Sequence, residues 1–294
     1  MLKIHFLNVG KGNSTILEFP SKRLAMIDID NSRISDDEEV LTDPIEYFQS
    51  NFKNGELFRF ILTHPDMDHM SGLDELANKV LILNFWDTKH NRTFSEDDWK
   101  GSPYSPKDWE RYLSFRKSTE NPKCLILNRG DTSPDPKCCW TQDHIEILSP
   151  SPHLIDLSAK TPEDDPQKYN HLSYVLMMEH GGTKVLFGGD ASVEVWEDIL
   201  NECGEESLKA NIFLAPHHGS KNNIHEEAFE AIEPNYVIVS VPKKTDYAYD
   251  FYNRLAKKGV LSTKHYGTMR VEIKESGEYE PIYVERQPQT KAKV

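Results

Sequence analysis

The sequence predicts an α/β fold: two mixed β-sheets covered by helices. Three observations predict it. Short apolar runs rich in β-branched and aromatic residues recur in both halves of the chain. Each half also holds segments whose apolar residues repeat at helical spacing, and strands plus helices in both halves imply layered sheets. Clusters of His, Asp and Gly then stand where several of those apolar runs end.

In chain order, Leu2 to Leu7 and Thr15 to Phe19 flank the Gly10-Lys11-Gly12-Asn13 turn and predict a hairpin. That turn lacks the P-loop pattern. Leu24 to Ile29 predicts a third strand, ending at Asp28 and Asp30. A short helix is expected from Pro44 to Ser50, since proline suits a first helical turn. Phe58 to Leu62 predicts a strand, and Met70, Leu73, Leu76, Ala77 and Val80 follow at helical spacing. Residues 84–143 are polar and irregular, with one helix expected around Pro106 to Lys117. They are read as an insertion or cap on a single domain spanning 1–294, with no chemistry assigned to them. Strands resume at Ile145 to Leu148, Ser173 to Met178, Lys184 to Phe187, Asn211 to Leu214, Tyr236 to Val241 and Met269 to Ile273. Helices are expected near Val193 to Leu200, Glu226 to Ile232 and Tyr249 to Lys258. Gln287 to Val294 form a polar stretch expected to fray.

At 294 residues the chain is long enough to bury a substantial core. Its net charge of −14 disfavours broad electrostatic capture of nucleic acid or anionic membrane, which depends on Lys and Arg neutralising phosphates. The four cysteines, Cys124, Cys138, Cys139 and Cys203, show no CxxC spacing and read as reduced thiols. The opening MLKIHFLNVGKGNS lacks a signal-peptide pattern, and no segment approaches the roughly 20 apolar residues of a membrane span. The expected location is the cytoplasm, with no membrane association.

The densest chemistry lies in THPDMDHMSG, from Thr63 to Gly72, which places His64, Asp66, Asp68 and His69 within six residues. Imidazole and carboxylate are both ligands of first-row metals. In extended chain His64, Asp66 and Asp68 share one side. Asp68 could instead cap the helix that follows. Three further signatures sit at strand ends: Asn170-His171-Leu172-Ser173, Gly188-Gly189-Asp190, and Ala215-Pro216-His217-His218-Gly219-Ser220. Asp190 also suits an N-cap, and Asp28 and Asp30 suit either support of ligand histidines or a turn. Lys243-Lys244 and Lys257-Lys258 offer a small basic rim for phosphate, or an ordinary solvated surface. Lys264, His265 and Tyr266 are weaker candidates for substrate contact. His5, His90, His144, His153, His180 and His225 belong to no motif and read as structural or exposed.

The order HxDxDH, NxxS, GD, HHGS resembles the metallo-β-lactamase superfamily of hydrolases. Within it the likeness is to the soluble catalytic domain of ComEC-like DNA-uptake proteins and their free-standing relatives. FLNVGKGNSTILEFP followed by AMIDIDN resembles the start of that branch. The resemblance covers nearly the whole chain and is weakest across 84–143. It implies an αββα sandwich and a centre of two divalent metal ions. His64, Asp66 and His171 would hold one ion; Asp68, His69 and His217 the other, with Asp190 bridging. His218 is the alternative ligand to His217, or a proton donor to the leaving group, so Asp68 and His218 stand as the catalytic candidates. Asp66 occupies a position where most of the superfamily carries histidine. The carboxylates harden the site, which brings manganese, iron or magnesium alongside zinc. His171, Asn13 and Thr263-Lys264 depart from the branch's usual pattern.

The function this implies is a metal-dependent phosphodiesterase or nuclease, in which a metal-bound hydroxide attacks phosphorus. Its substrate would be nucleic acid or a nucleotide, with a protein partner expected from a bacterial operon system. The alternatives are hydrolysis of a peptide, lactam or thioester bond on the same scaffold, or a non-catalytic metal-binding effector subunit.

Overall fold

The computed structural model describes residues 1–33, 41–53, 55–133, 135, 137–241 and 247–283. The expectations for Lys243, Lys244 and Gln287 to Val294 lie outside the described residues. In the first half the strands are β1 (Leu2–Phe6), β2 (Thr15–Glu18), β3 (Leu24–Ile27), β4 (Ile29–Asp30), β5 (Arg59–Ile61), β6 (Met70–Ser71), β7 (Asn84–Asp87) and β8 (Lys123–Ile126). The second half adds β9 (Ile145–Ser149), β10 (Val175–His180), β11 (Thr183–Phe187), β12 (Ile212–Leu214), β13 (Tyr236–Val239), β14 (Gly259–Ser262), β15 (Met269–Ile273) and β16 (Tyr279–Tyr283). The helices are α1 (Pro44–Asn51), α2 (Leu73–Lys79), α3 (Pro106–Arg116), α4 (Pro152–Lys160), α5 (Val193–Cys203), α6 (Glu226–Ile232), α7 (Tyr249–Leu255) and α8 (Thr263–Tyr266).

One sheet runs β16-β15-β1-β2-β3-β5-β7-β8 and the other β14-β13-β12-β11-β10-β9, with β4 and β6 as a separate pair. Both are mixed. β3, β5, β7 and β8 are parallel neighbours, as are β11 to β14, while the remaining pairs in each sheet are antiparallel. Strands buried on both faces read as continuous apolar runs, and alternate residues of each go to opposite layers. Ile4, Leu17, Ile27, Ile61 and Trp86 of the first sheet meet Leu176, Phe187, Leu214 and Ile238 of the second in the central layer. Met26, Phe60 and Phe85 point outward onto Ile45 and Phe48 of α1, Leu76 of α2 and Trp109 of α3. Leu186, Phe213 and Val237 point the other way onto Trp196 of α5, Phe229 of α6 and Tyr252 of α7. The result is the αββα sandwich that the resemblance implied.

Among the described residues, seven elements had no clear signal in the sequence: β6, β7, β8, α4, β14, α8 and β16. β8 and β16 are edge strands, only half buried, so their apolar alternation is weak. Pro281 inside β16 also argues against a strand on local grounds, yet an edge position tolerates it. α4 buries only Leu154 and Ser158, with Ser151 accepting from the Leu154 N–H as its cap. The helix expected through Lys258 stops at Leu255, because Gly259 already pairs with Tyr236. Residues 84–143, expected as an insertion or cap, contribute β7 and β8 to the large sheet and α3 to its outer face. Among the described residues no helix is long and apolar enough to cross a membrane.

One buried charge anchors that segment. Arg59, fully buried in β5, lies 2.7 Å from Asp143 Oδ2 and donates to the Cys138 carbonyl at 2.9 Å. Its guanidinium stands over the rings of Phe58 and Phe19 at 5.1 and 5.4 Å. Arg23 closes the other side of the same carboxylate.

Candidate metal centre

The site forms where strands of both sheets end. β3 ends at Ile27, and Asp28 follows in the left-handed region at φ 55°. Its Oδ1 accepts from the Thr63 N–H at 2.8 Å, fixing the exit of β5 against β3. The chain then turns: Asp66 N–H donates to the His64 carbonyl and His69 N–H to that of Asp66, closing a 3₁₀ turn over Met67–His69. The extended alternation expected for His64, Asp66 and Asp68 therefore does not hold. The turn brings the rings of His64 and His69 to 4.2 Å instead. Asp68 does not cap α2, whose N-cap is Gly72 at φ 99°.

The second sheet supplies the rest. Gly189 (φ 51°) follows β11, and a Cβ there would meet Ser173 Oγ at 2.4 Å, so only glycine allows this approach. Asp190 N–H donates to the same Ser173 hydroxyl at 2.9 Å. Asp190 does not cap α5, whose N-cap is Ser192. After β12, His217 and His218 both take left-handed backbone, at φ 49° and 55°. For residues with a Cβ each such conformation costs on the order of 1–2 kcal/mol, which packing elsewhere must offset. The Tyr174 N–H donates to the Thr63 carbonyl at 2.9 Å and stitches the two sheets together beside the site.

Two donor groups result. His64, His69 and Asp190 present ligand atoms within 4.8 Å of one another, and so do Asp68, His69 and His218. Asp190 Oδ2 is the hub, 3.3 Å from His69 Nε2 and 3.7 Å from His218 Nε2. His218 Nε2 also lies 3.8 Å from Asp68 Oδ2. His64 Nε2, His69 Nε2, His218 Nε2 and Asp190 Oδ1 are buried and form no hydrogen bond. Buried nitrogen lone pairs and carboxylate oxygens left this way are costly unless a cation takes them, so this donor set fits a divalent metal.

Charge is arranged to match. Burial alone would raise the Asp190 carboxyl, but His69 and His218 hold it well below the usual carboxylate range. Burial would lower His69, yet the Asp190 and Asp28 carboxylates carry it well above an ordinary imidazole, so a metal ion at its Nε2 would have to displace a proton. Burial, with His69 alongside, pushes His64 down to about 4, and burial also lowers His218, which favours the neutral imidazole that a metal would require. His69 Nδ1 lies 2.7 Å from Asp28 Oδ2, which fixes the ring with Nε2 aimed at the cluster. Asp28→Ala is expected to lower metal affinity about 10–100-fold, the usual effect of removing a partner that orients a ligand. Calorimetric titration checks this; an unchanged affinity would count against the orienting role.

The remaining sequence candidates sit further out. Asp66 Oδ2 lies 3.5 Å from His64 Nε2, but Asp66 belongs to neither donor group and pairs with Arg92. His217 is partly exposed, with Nδ1 3.9 Å from Asp190 Oδ2 and 3.3 Å from Asn170 Nδ2. His171 is turned to Ser192 Oγ at 2.8 Å and Glu194 at 3.7 Å, and is in neither group. Asp30 is buried beside the Gly12 backbone, and burial raises it to about 7. Lys257 pairs with Glu233. Sequence reasoning missed Lys11, whose Nζ lies 3.9 Å from Asp68 Oδ2, and Arg92 and Tyr104 from the irregular segment. Burial and the nearby Asp68 and Asp30 carboxylates raise the Tyr104 phenol. The histidine without a motif at 90 supports Arg92, by accepting from its N–H at 3.0 Å.

No family model matches the chain. Among solved structures, Tm1679, a metal-dependent hydrolase of the β-lactamase superfamily, aligns over 96% of this chain and all of its own at a TM-score of 0.54 and 12% identity. The chain has the metallo-β-lactamase fold. The metallo-β-lactamase fold protein YhfI from Bacillus subtilis aligns over 95% of this chain and 99% of its own, with a TM-score of 0.51 and 10% identity. Zn²⁺-bound PqqB from Methylobacterium extorquens aligns over 92% and 100%, with a TM-score of 0.50 and 10% identity. In sequence the chain is 26% identical over 259 residues to ComE operon protein 3 of Bacillus subtilis, which supports the ComEC-like branch of this fold. That match takes in 83% of this chain and 29% of the relative, so the chain spans under a third of that protein's length.

Proposed function

We propose that the chain is a divalent-metal-dependent hydrolase of phosphodiester bonds. The observation that carries this is the convergence of His64, His69, His218, Asp68 and Asp190, with buried atoms of the three histidines and Asp190 free of hydrogen bonds, on a fold shared with metal-dependent hydrolases. Divalent ions held there supply Lewis acidity and neutralise charge that develops on the phosphoryl oxygens. His69 belongs to both donor groups, Asp190 of the first lies 3.7 Å from His218, and His218 completes the group containing Asp68. His217, expected as a ligand, is partly exposed at the rim, so in this reading it takes the proton-donor role first given to His218. Lys11 and the protonated Tyr104 phenol border Asp68 and can hold the phosphoryl group there. Likeness to an operon-encoded protein of the ComEC-like branch supports a nucleic acid or nucleotide as substrate. The net charge of −14 favours recognition by these few groups over a broad basic surface.

The test is hydrolysis of bis-(p-nitrophenyl) phosphate and of single-stranded and duplex oligonucleotides with manganese, magnesium or zinc, beside elemental analysis of the purified protein. Metal-dependent turnover that Asp68→Ala abolishes is expected. A protein inert with every ion, or with wild type and Asp68→Ala alike, would overturn the reading.

A further inference from the structure

The irregular segment reaches the centre through Arg92. Its guanidinium pairs with Asp66 Oδ1 while the other carboxylate oxygen faces His64 Nε2, so one side chain links the protein's own cation to the donor cluster. Arg92 is held in place rather than waving in solvent. The guanidinium stands 4.5 Å over the Tyr169 ring and 4.8 Å from the Phe94 ring. Its backbone is tied to His90, which stacks on Tyr112 with the rings 8° from parallel. Tyr112 donates to Asp87 at 2.7 Å, and Arg116 grips the same carboxylate at 2.6 Å. On the other side of the centre, the lysine facing Asp68 is half exposed and 3.9 Å away, a much looser cation.

A dication at His64 would meet, 3.5 Å from Nε2, a carboxylate already shared with a fixed, desolvated positive charge, and a guanidinium does not give up its proton. We propose that Arg92 makes the two metal positions unequal, leaving the position at His64, beside the Asp66–Arg92 pair, the weaker one. The position built from Asp68, His69 and His218 then fills first, and Asp190 is available to both. This rests on the metal-centre reading above. It assigns the inserted segment a role in setting metal occupancy.

Calorimetric titration of the metal-stripped protein with Mn²⁺, with the bound ion counted by elemental analysis, tests it without any assay of activity. Wild type is expected to take one ion tightly and a second at least about ten-fold more weakly. Arg92→Met keeps an apolar stem between Phe94 and Tyr169 and removes the charge. It should tighten the second ion about ten-fold or more, while Arg92→Lys keeps the two positions unequal. Two indistinguishable sites in wild type would overturn the inference without any variant being needed, and so would an unchanged second affinity in a folded Arg92→Met. Wild type that binds no ion would remove the metal-centre reading as well, which separates the two failures.

Discussion

Replacing Asp190 with asparagine is expected to lower metal affinity by more than about 100-fold and hydrolysis by about 1,000-fold. Both figures exceed or match what is lost when one ligand-orienting group or one charge-stabilising donor is removed. The reasoning is geometric. Asp190 Oδ2 is within 3.9 Å of ring nitrogens from His69, His217 and His218, and its second oxygen is buried without a hydrogen bond. Asparagine keeps the size and the backbone bond to Ser173, so fold and rim geometry persist while the anionic hub is lost. Metal titration and steady-state kinetics on the same preparation check both figures. An Asp190→Asn protein that keeps affinity and rate within about two-fold of wild type would place the hub elsewhere.

The second large effect concerns stability. Among the described residues, Asp143→Ala leaves the buried Arg59 guanidinium with a single carbonyl partner and no counter-charge. Breaking a buried pair from one side costs about 3–5 kcal/mol, and urea denaturation at neutral pH should show a loss of that order. The paired replacement of Arg59 by Met and Asp143 by Leu should recover most of it, because two apolar side chains need no compensation. A single-variant loss below about 1 kcal/mol would mean that the pair is solvated or rearranged.

Much of this architecture was legible in the sequence because burial on both faces leaves long apolar runs. Phe58 to Leu62, Lys184 to Phe187 and Asn211 to Leu214 stand where β5, β11 and β12 form. The edges were illegible for the complementary reason: β8 and β16 face partner and solvent at once. At the centre, the four strand-end signatures were readable because chemistry demands His, Asp and Gly where packing does not. What the spacing misjudged was conformation. The Met67–His69 turn, and not an extended chain, decides which donors of HxDxDH meet. Adjacent histidines could not be ranked from sequence; left-handed backbone at both positions 217 and 218 aims them differently. Arg92, Tyr104 and Lys11 left no signal, since a single cation or tyrosine in a polar loop reads as solvated surface.

The pairing of β1 with β15 has a consequence for how the molecule is made. β1 is central in the large sheet, with Ile4 opposite Leu17 of β2 on one side and Val271 of β15 on the other. Thr268, just before β15, also receives the Asn8 N–H and meets Thr42. A ribosome delivers β1 to β3 more than 200 residues before their last neighbour. Until then β1 carries an open row of backbone donors and acceptors, a template for wrong partners. Long-range closure of this kind slows folding. Every donor named for the metal centre thus precedes β15 in the chain, and β15 itself contributes none of them.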